Sequence, residues 1–406
     1  MKNIKNSIFI AILALFLCLN LQGCVLNNQK ILSSFDNLGK SPQDVFLNAW
    51  GSIKNQYFDK NYNHQNWSKW KSRYIKQIKT KDDAYLAIET MIESLNDPYT
   101  RFLPPSDFEE QDRTIDSKLD GIGVHITNIK GFIEIFDIID GTPAKKSGLK
   151  EGDIILKINQ TSTKSLNLKE VADMIRGEAG TSITLTLLRN KKEIIKDVFR
   201  EKIIIKTVEY KILDKNYAYI KILSFMSNDT AGEMVEILNK IKNIQNIKGI
   251  ILDLRGNHGG LLPNAIFISN MFINKGIIVS IVDKNGFKKN IKAEGIGLLT
   301  NKPLVILINQ GSASASEILS GALKEHERAI LVGETTFGKG LVQKIQRLPD
   351  NSGINITVAK YLTPDGHDID KKGIKPDYTV KFTREDFLNN RDPQLDKAKQ
   401  ILTGKV

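Results

Sequence analysis

Apolar residues recur at helical spacing in two early stretches, Phe46, Trp50, Ile53 and Tyr57, then Tyr85, Ile88, Ile92 and Leu95, the second stopped by Asp97-Pro98. Each predicts an amphipathic helix of a helical bundle segment or a dimerisation arm. From Lys118 to about Lys206 the pattern changes. Ile154 to Ile158 reads as a strand, Leu168, Val171, Ala172 and Ile175 as one face of a helix, and Ile183, Leu185 and Leu187 as one face of a strand. Gly141-Thr142-Pro143-Ala144 and Gly148-Leu149-Lys150-Glu151-Gly152-Asp153 punctuate these elements. Two unbroken apolar runs follow, Gly249-Ile250-Ile251-Leu252 and Leu304-Val305-Ile306-Leu307-Ile308, which predict buried strands. The first leads to an apolar helix from near Leu261 and the second to a helix from Glu317 to Glu325. Further on, Ile354 to Val358 alternates as a strand, Pro364-Asp365-Gly366 is a turn, and Asp392-Pro393 opens a last helix through Leu402.

The candidate chemistry lies in loops of small residues, the first of them at the end of the second buried run. Ser314 sits in Gly311-Ser312-Ala313-Ser314-Ala315-Ser316-Glu317, and Lys339 in Phe337-Gly338-Lys339-Gly340. A serine hydroxyl attacks a carbonyl only when a neighbour takes its proton, and a lysine does so once its pKa falls from about 10.4 toward roughly 7 to 8. Burial in an apolar pocket supplies such a shift. At a strand-to-helix junction the first backbone N–H groups of the helix are unpaired and favour negative charge on an attacked carbonyl oxygen. Each residue alone has a plainer reading: the three serines as capping and turn residues, Lys339 as a solvated turn lysine.

A third loop, Asp253-Leu254-Arg255-Gly256-Asn257-His258-Gly259-Gly260, follows the first buried run. Paired glycines let a backbone N–H approach a ligand without a Cβ in the way, and a tight strand-to-helix turn is the plainer reading. His258-Gly259-Gly260 also matches the oxyanion loop of lipases and esterases, but no G-x-S-x-G elbow surrounds Ser312, Ser314 or Ser316, which removes that reading. His64, His125, His326 and His367 are scattered without metal-ligand spacing, and no cysteine pair suits a structural zinc, so no metal is expected.

Taken together the motifs resemble the carboxyl-terminal processing (tail-specific) proteases, serine peptidases with a Ser/Lys dyad. The resemblance covers essentially everything after about residue 40 and is most specific at the serine and lysine motifs. It implies Ser314 as nucleophile, Lys339 as general base, Gln343 as the polar partner that orients the lysine, and the amides of Gly260 and Ala315 as the oxyanion hole. Glu325 falls where some members carry a supporting acid, an exposed helical glutamate being the plainer reading. His258 stands where members often have proline, which leaves a histidine base open. Residues 118–206 resemble an inserted PDZ domain, with Gly121-Ile122-Gly123-Val124 as its carboxylate-binding loop and the strand from about Val124 to Thr127 pairing with the substrate's last residues. The implied fold is mixed α/β: a crotonase-like spiral catalytic core, the PDZ insert and an N-terminal helical segment. The implied division is a leader at 1–24, helices at 40–117, PDZ at 118–206, peptidase core at 207–384 and a C-terminal helix at 385–406. The implied activity is endoproteolysis near a captured C-terminal tail, with protein substrates and no cofactor. A catalytically inactive, membrane-tethered PDZ scaffold and a crotonase-like acyl-thioester enzyme stay open as alternatives, and so does a homo-oligomer.

Lys2 and Lys5 precede an apolar run from Ile8 to about Leu21, shorter than the roughly 20 residues of a membrane span and suited to a signal-peptide core. Leu21-Gln22-Gly23-Cys24 resembles a bacterial lipoprotein cleavage site, which implies lipidation of Cys24 and an envelope location, periplasm or membrane surface. Gln22 is less usual there, so ordinary cleavage or an uncleaved anchor stays open. The only other cysteine, Cys18, lies in the apolar run, so the folded part uses no disulfide. The 406 residues carry a formal charge of +12, which brings a nucleic-acid partner into view. The lysines are spread among Asn and Ile, without a compact basic run or a stacked aromatic pattern, so that partner is set aside in favour of anionic lipid near the anchor.

Overall fold

The computed structural model describes residues 41–116, 118–295 and 299–404. The expected leader and Cys24 lie outside them. The described chain forms two compact units. One holds the residues through Glu109 together with 283–286 and 342–359, and the other holds 110–282, 287–341 and the residues from Lys360 on.

In the first unit both expected helices form, at Pro42–Gln56 and Lys81–Glu93. Ser41 caps the first by accepting from Asp44 N, and Thr80 with Asp83 forms a reciprocal capping box on the second. Their apolar stripes, with Phe46, Ile53, Ile88 and Met91 buried, share one core with Ile354 and Ile356 of the strand Gly353–Leu362. That strand pairs with Leu341–Arg347 and, antiparallel, with Arg101–Leu103. It was expected to alternate, yet Gly353 to Thr357 are all buried, because both of its faces are covered. A further helix, Trp67–Tyr74, is too short and lysine-rich to show a periodic stripe. It is anchored by Trp67, whose Nε1 donates to Trp50 O at 3.0 Å while Trp50 Nε1 donates to Trp67 O at 2.9 Å.

The second unit contains a six-stranded, mostly parallel sheet. Its strands β1 (Val208–Leu213), β2 (Tyr217–Ile222), β3 (Gly249–Asp253), β4 (Leu304–Ile308), β5 (Ile330–Gly333) and β6 (Tyr378–Thr379) lie side by side in chain order. β1 and β2 form an antiparallel pair, and every later neighbour is parallel, with Ile250 opposite Leu304 and Val305 opposite Ile330. Helix α1 (Thr230–Lys242) follows β2, α2 (Leu262–Asn270) follows β3, α3 (Ala315–Glu325) follows β4, and α4 (Pro393–Leu402) ends the described fold. Every residue of β3 and β4 is buried, as parallel strands covered on both faces must be. On one face Ile251, Val305, Leu307 and Val332 pack against Ala398 and its neighbours in α4. The loops after β3 and β4 therefore emerge side by side at the carboxyl ends of adjacent parallel strands, the place where open α/β sheets bind ligands.

The PDZ part of this unit is a six-stranded sheet. Its edge strand is Val124–Ile129, followed in order by Phe132–Ile138, Ile154–Ile158, Ser182–Arg189 and Lys192–Phe199, with Thr161–Ser162 pairing beside Ile154–Ile158. The helix Leu168–Ile175 starts in a capping box of Asn167 and Glu170 and buries Val171 and Ile175. Ile135, Leu185, Leu187 and Val198 complete its core.

Candidate active site

Ser314 is the N-cap of α3, with φ 55° and ψ −113°, a left-handed conformation that a non-glycine residue holds only at a cost of about 1 to 3 kcal/mol. α3 accordingly begins at Ala315, two residues before the expected start. Its surroundings over-determine that strain. The Ser314 N–H donates to Glu317 Oε2 at 2.8 Å, and the Tyr361 hydroxyl donates to Ser314 O at 3.2 Å. Burial, and then the charges of Glu317 and Asp370, push the Tyr361 phenol well above its ordinary range, so it stays a donor. Ser312 Oγ donates to Leu254 O at 2.8 Å, which ties the serine loop to the loop after β3. Ser314 is a capping residue whose own N–H is held by the carboxylate three residues into the helix.

Glu317 is fully buried, and it joins the serine to the lysine. Its Oε1 accepts from Thr336 Oγ1 at 2.5 Å and from the Gly338 N–H at 2.7 Å, while Oε2 accepts from the Lys339 N–H at 2.9 Å as well as from Ser314. The Ser314 and Lys339 backbone nitrogens are thus no farther apart than those two hydrogen-bond lengths combined. Four donors satisfy both oxygens of a carboxylate that burial would otherwise penalise heavily. The Phe337 N–H donates to Ser312 O at 3.0 Å, a second tie between the two loops. Gly338, at φ 87°, lies so close to the backbone of Lys371 to Gly373 that a Cβ would meet it at 2.8 to 3.0 Å. Lys339 itself is half-buried. Sequence reading missed the role of Glu317, although Ser-x-x-Glu before an apolar run is the capping-box signal that could have found it.

The loop after β3 lies against the serine. A Cβ on Gly259 would fall 2.6 Å from Ala313 O and 2.9 Å from both Ala315 N and Ser314 Cβ. Gly260 bridges Phe225 in parallel fashion: the Phe225 N–H donates to Gly259 O and the Leu261 N–H donates to Phe225 O, each at 2.9 Å. In that geometry the flanking residues make the bonds, so the Gly260 N–H points away from Phe225. Ala315 opens α3, and its N–H belongs to the set a helix leaves unpaired. Asn257 fixes the loop. Its Oδ1 accepts from Gly259 N at 2.8 Å, its Nδ2 donates to Ile222 O at 2.7 Å, and its carbonyl accepts from Ala313 N at 3.0 Å and Ser316 Oγ at 2.9 Å.

His258 is exposed. Glu325, at the end of α3, accepts from Asp365 N at 2.8 Å and pairs with His367 Nδ1 at 3.0 Å, so its carboxylate secures the Pro364-Asp365-Gly366 turn. The acids that touch the lysine loop are Glu317 and Asp370, the latter accepting from the Gly340 N–H at 3.3 Å. Gln343 lies on the strand Leu341–Arg347, and its Nε2 is buried with no hydrogen-bond partner among the described residues. Gly121, Ile122, Gly123 and Val124 line a groove of about 560 Å³ in the PDZ part, between the edge strand and the helix Leu168–Ile175. There Gly123, at φ 83°, leaves no room for a Cβ, which would meet Thr142 Cβ at 2.4 Å.

Comparison with known proteins agrees with this architecture. Residues 216–380 match the model of peptidase family S41, and residues 134–189 match a PDZ domain. The chain is 39% identical over 347 residues to the carboxyl-terminal-processing protease of Picosynechococcus sp., covering 83% of each chain. It is 38% identical to the carboxy-terminal processing protease CtpA of Bacillus subtilis, over 100% of this chain and 82% of that one. Among solved structures, the photosystem II D1 C-terminal processing protease superposes with a TM-score of 0.56 at 32% identity, covering 84% of this chain and 93% of the other. The molecule is a serine peptidase with a PDZ domain and the mixed α/β architecture expected for one. The chain belongs to the carboxyl-terminal-processing proteases of peptidase family S41.

Proposed function

We propose that Ser314 and Lys339 form the catalytic dyad and that the PDZ groove captures the C-terminal tail of a protein substrate. The observation that carries this reading is the single oxygen, Glu317 Oε2, shared by the Ser314 and Lys339 backbone amides. Ser314 Oγ attacks the peptide carbonyl carbon, and neutral Lys339 Nζ takes the hydroxyl proton. The Gly260 and Ala315 amides hold the oxyanion, and Lys339 passes the proton to the leaving amine as the C–N bond breaks. Water then hydrolyses the acyl-enzyme, giving one proton to Lys339, which returns it to Ser314 Oγ. Gln343 keeps the role of polar partner that family resemblance gives it. His258 is a poorer base, being exposed to water.

Tail capture is supported by the edge position of Val124–Ile129, whose free side accepts an added strand, and by the loop Gly121 to Val124 at its head. A lipid anchor at Cys24 would place the enzyme in the bacterial envelope, among protein substrates with free tails. Purified Ser314→Ala and Lys339→Ala should each lose proteolysis while keeping the wild-type melting profile and tail-peptide affinity. Proteolysis retained by either variant rejects the dyad.

A further inference from the structure

The free edge of the PDZ sheet is bordered, on the face away from the domain core, by a strip of side chains that takes no part in holding a carboxylate. Along Phe132–Ile138, Ile133 and Ile135 are buried in the core, whereas Phe132 and Phe136 are 51% and 54% exposed, with half-buried Glu134 between them. We propose that this strip also reads the substrate tail and selects a long basic side chain, lysine or arginine, at the fourth residue from the C-terminus. The assignment rests on the tail capture given above.

The position follows from strand register. A terminal carboxylate that accepts from the Val124 N–H places the last residue of an added antiparallel strand opposite Val124. The penultimate residue then lies opposite His125, the third from the end opposite Ile126 and the fourth opposite Thr127. Residues directly opposite share a face. The last and third side chains therefore point, with Val124 and Ile126, into the groove and toward the core. The second and fourth point with His125 and Thr127 to the outer face. Thr127 is paired on its other side with Glu134, so the fourth residue, Thr127 and Glu134 form one cross-strand row. Adjacent strands are about 4.8 Å apart, which sets the outer two α-carbons of that row about 10 Å apart. The extended stems of a lysine and a glutamate together cover that span, and the short Thr127 side chain leaves it open.

The chemistry follows from what surrounds the carboxylate. The cross-strand partners of Glu134 are Thr127 and Ile154, so no base stands opposite it. Along its own strand Phe132 and Phe136 flank it. The Phe136 ring lies 5.7 Å from that of His125, which puts it on the same outer face as His125 and Thr127. His125 faces a second acid, with Nε2 3.8 Å from Asp137 Oδ2. An acid between two exposed rings suits a side chain with an apolar stem and a cationic head. The stem covers the rings, the head pairs with Glu134, and the ring faces attract the same charge. An acidic side chain in that row would be repelled by Glu134.

The test measures fluorescence anisotropy of labelled tail peptides on full-length Ser314→Ala protein, with mass spectrometry to check that the peptides stay whole. The peptides share their last three residues and carry Lys, Ala or Glu at the fourth from the end. The unaltered PDZ part should bind the Lys peptide about 3- to 10-fold more tightly than the Ala peptide, and the Glu peptide more weakly than either. Adding Glu134→Gln should bring the Lys and Glu peptides within about 2-fold of each other, and Glu134→Lys should reverse their order. Phe132→Ala with Phe136→Ala should lower the Lys-to-Ala ratio at least about 2-fold. Each protein is also given the Ala peptide with an amidated C-terminus, which should bind at least about 10-fold more weakly than the free tail. A free carboxylate that matters throughout, with the three tails binding alike to the unaltered PDZ part or an order that both Glu134 substitutions leave unmoved, overturns the strip and leaves capture standing. Equal binding of free and amidated tails to the unaltered PDZ part overturns capture, and the strip with it.

Discussion

Arg255, in the loop after β3, and Asp392, the N-cap of α4, are 137 residues apart in the chain and joined by a two-pronged ion pair. Nη1 donates to Oδ1 and Nη2 to Oδ2, both at 2.9 Å. The other side of the guanidinium holds Asp253, with Nη2 to Oδ2 at 2.6 Å, and the Tyr219 hydroxyl donates to that same oxygen at 2.6 Å. Burial opposes the charge on Arg255, and its hydrogen bonds to Asp253 and then Asp392 outweigh that, holding it further above its ordinary range. The loop that carries Gly260 is thereby fastened to the last helix.

Asp392→Asn should therefore destabilise the catalytic unit by about 1 to 2 kcal/mol at neutral pH, a modest value because Asp392 is partly solvated. Burial raises the Asp392 pKa, but hydrogen bonds from Arg255 and the Leu395 amide outweigh it and leave the group below 3.8. A depressed folded-state pKa gives a contribution fully present above the unfolded value and lost as pH falls through the folded one. Urea melts of wild type and variant should differ by a constant amount from pH 7 down to about pH 5 and converge below about pH 4. A gap that widened on acidification would contradict the ion pair.

Glu317→Gln replaces one acceptor oxygen with an NH2 group that must face two N–H donors, or a hydroxyl and an N–H. Each buried donor left unpaired costs about 1 to 3 kcal/mol. The expected result is a loss of about 2 to 4 kcal/mol in stability and at least about 100-fold in kcat/KM, larger than the effect of Glu325→Gln, whose carboxylate serves a surface turn. Equal kinetic effects of the two substitutions would remove Glu317 from its positioning role.

These cases show what a linear reading reaches. Ser314 and Gly260 stood out because each lies in a short run of small residues at the end of an apolar strand, and Lys339 because it stands between two glycines; these signals are local. Glu317 went unread because three of its four donors sit 19 to 22 residues away, and its helical position alone suggests an ordinary first-turn acid. The partnership of Arg255 with Asp392 leaves no local trace at all. Residues 342–359 were expected to stay with the peptidase core that precedes them in the chain, whereas their apolar side chains, among them Ile354 and Ile356, fill the core of the N-terminal helices. Tertiary burial decided that, and periodicity cannot assign a strand to a partner.

Two glycines of one loop make a paired test. Gly256 has φ 71° with nothing within 4 Å of an added Cβ, while Gly259 has φ 93° and would press its Cβ onto Ala313 O and Ser314 Cβ. Gly256→Ala should cost about 1 to 2 kcal/mol for backbone strain and leave turnover within about 3-fold. Gly259→Ala must also shift the serine loop, and kcat should fall at least about 100-fold with KM little changed, since a misplacement near 1 Å at a nucleophile costs about that much. Steady-state kinetics of both variants decide the matter, and equal kcat values would show that Gly259 does not set the position of Ser314.

Gly123→Ala separates capture from cleavage. The new Cβ would lie 2.4 Å from Thr142 Cβ at a φ of 83°, so the loop must open by moving the Ile122 carbonyl, which accepts from Ala144 N at 2.8 Å, or the Gly123 carbonyl, which accepts from Ile139 N at 3.1 Å. Either movement would turn the Gly121 to Val124 amides, the proposed carboxylate nest, out of register. Calorimetry should give at least about a 10-fold weaker affinity for a tail peptide with a free carboxylate. The ratio of turnover on a long tailed protein to turnover on a short blocked peptide should fall by a similar factor, because only the first substrate depends on the nest. A parallel fall on both substrates would mean that the PDZ loop acts on the catalytic centre itself and does not merely hold the tail.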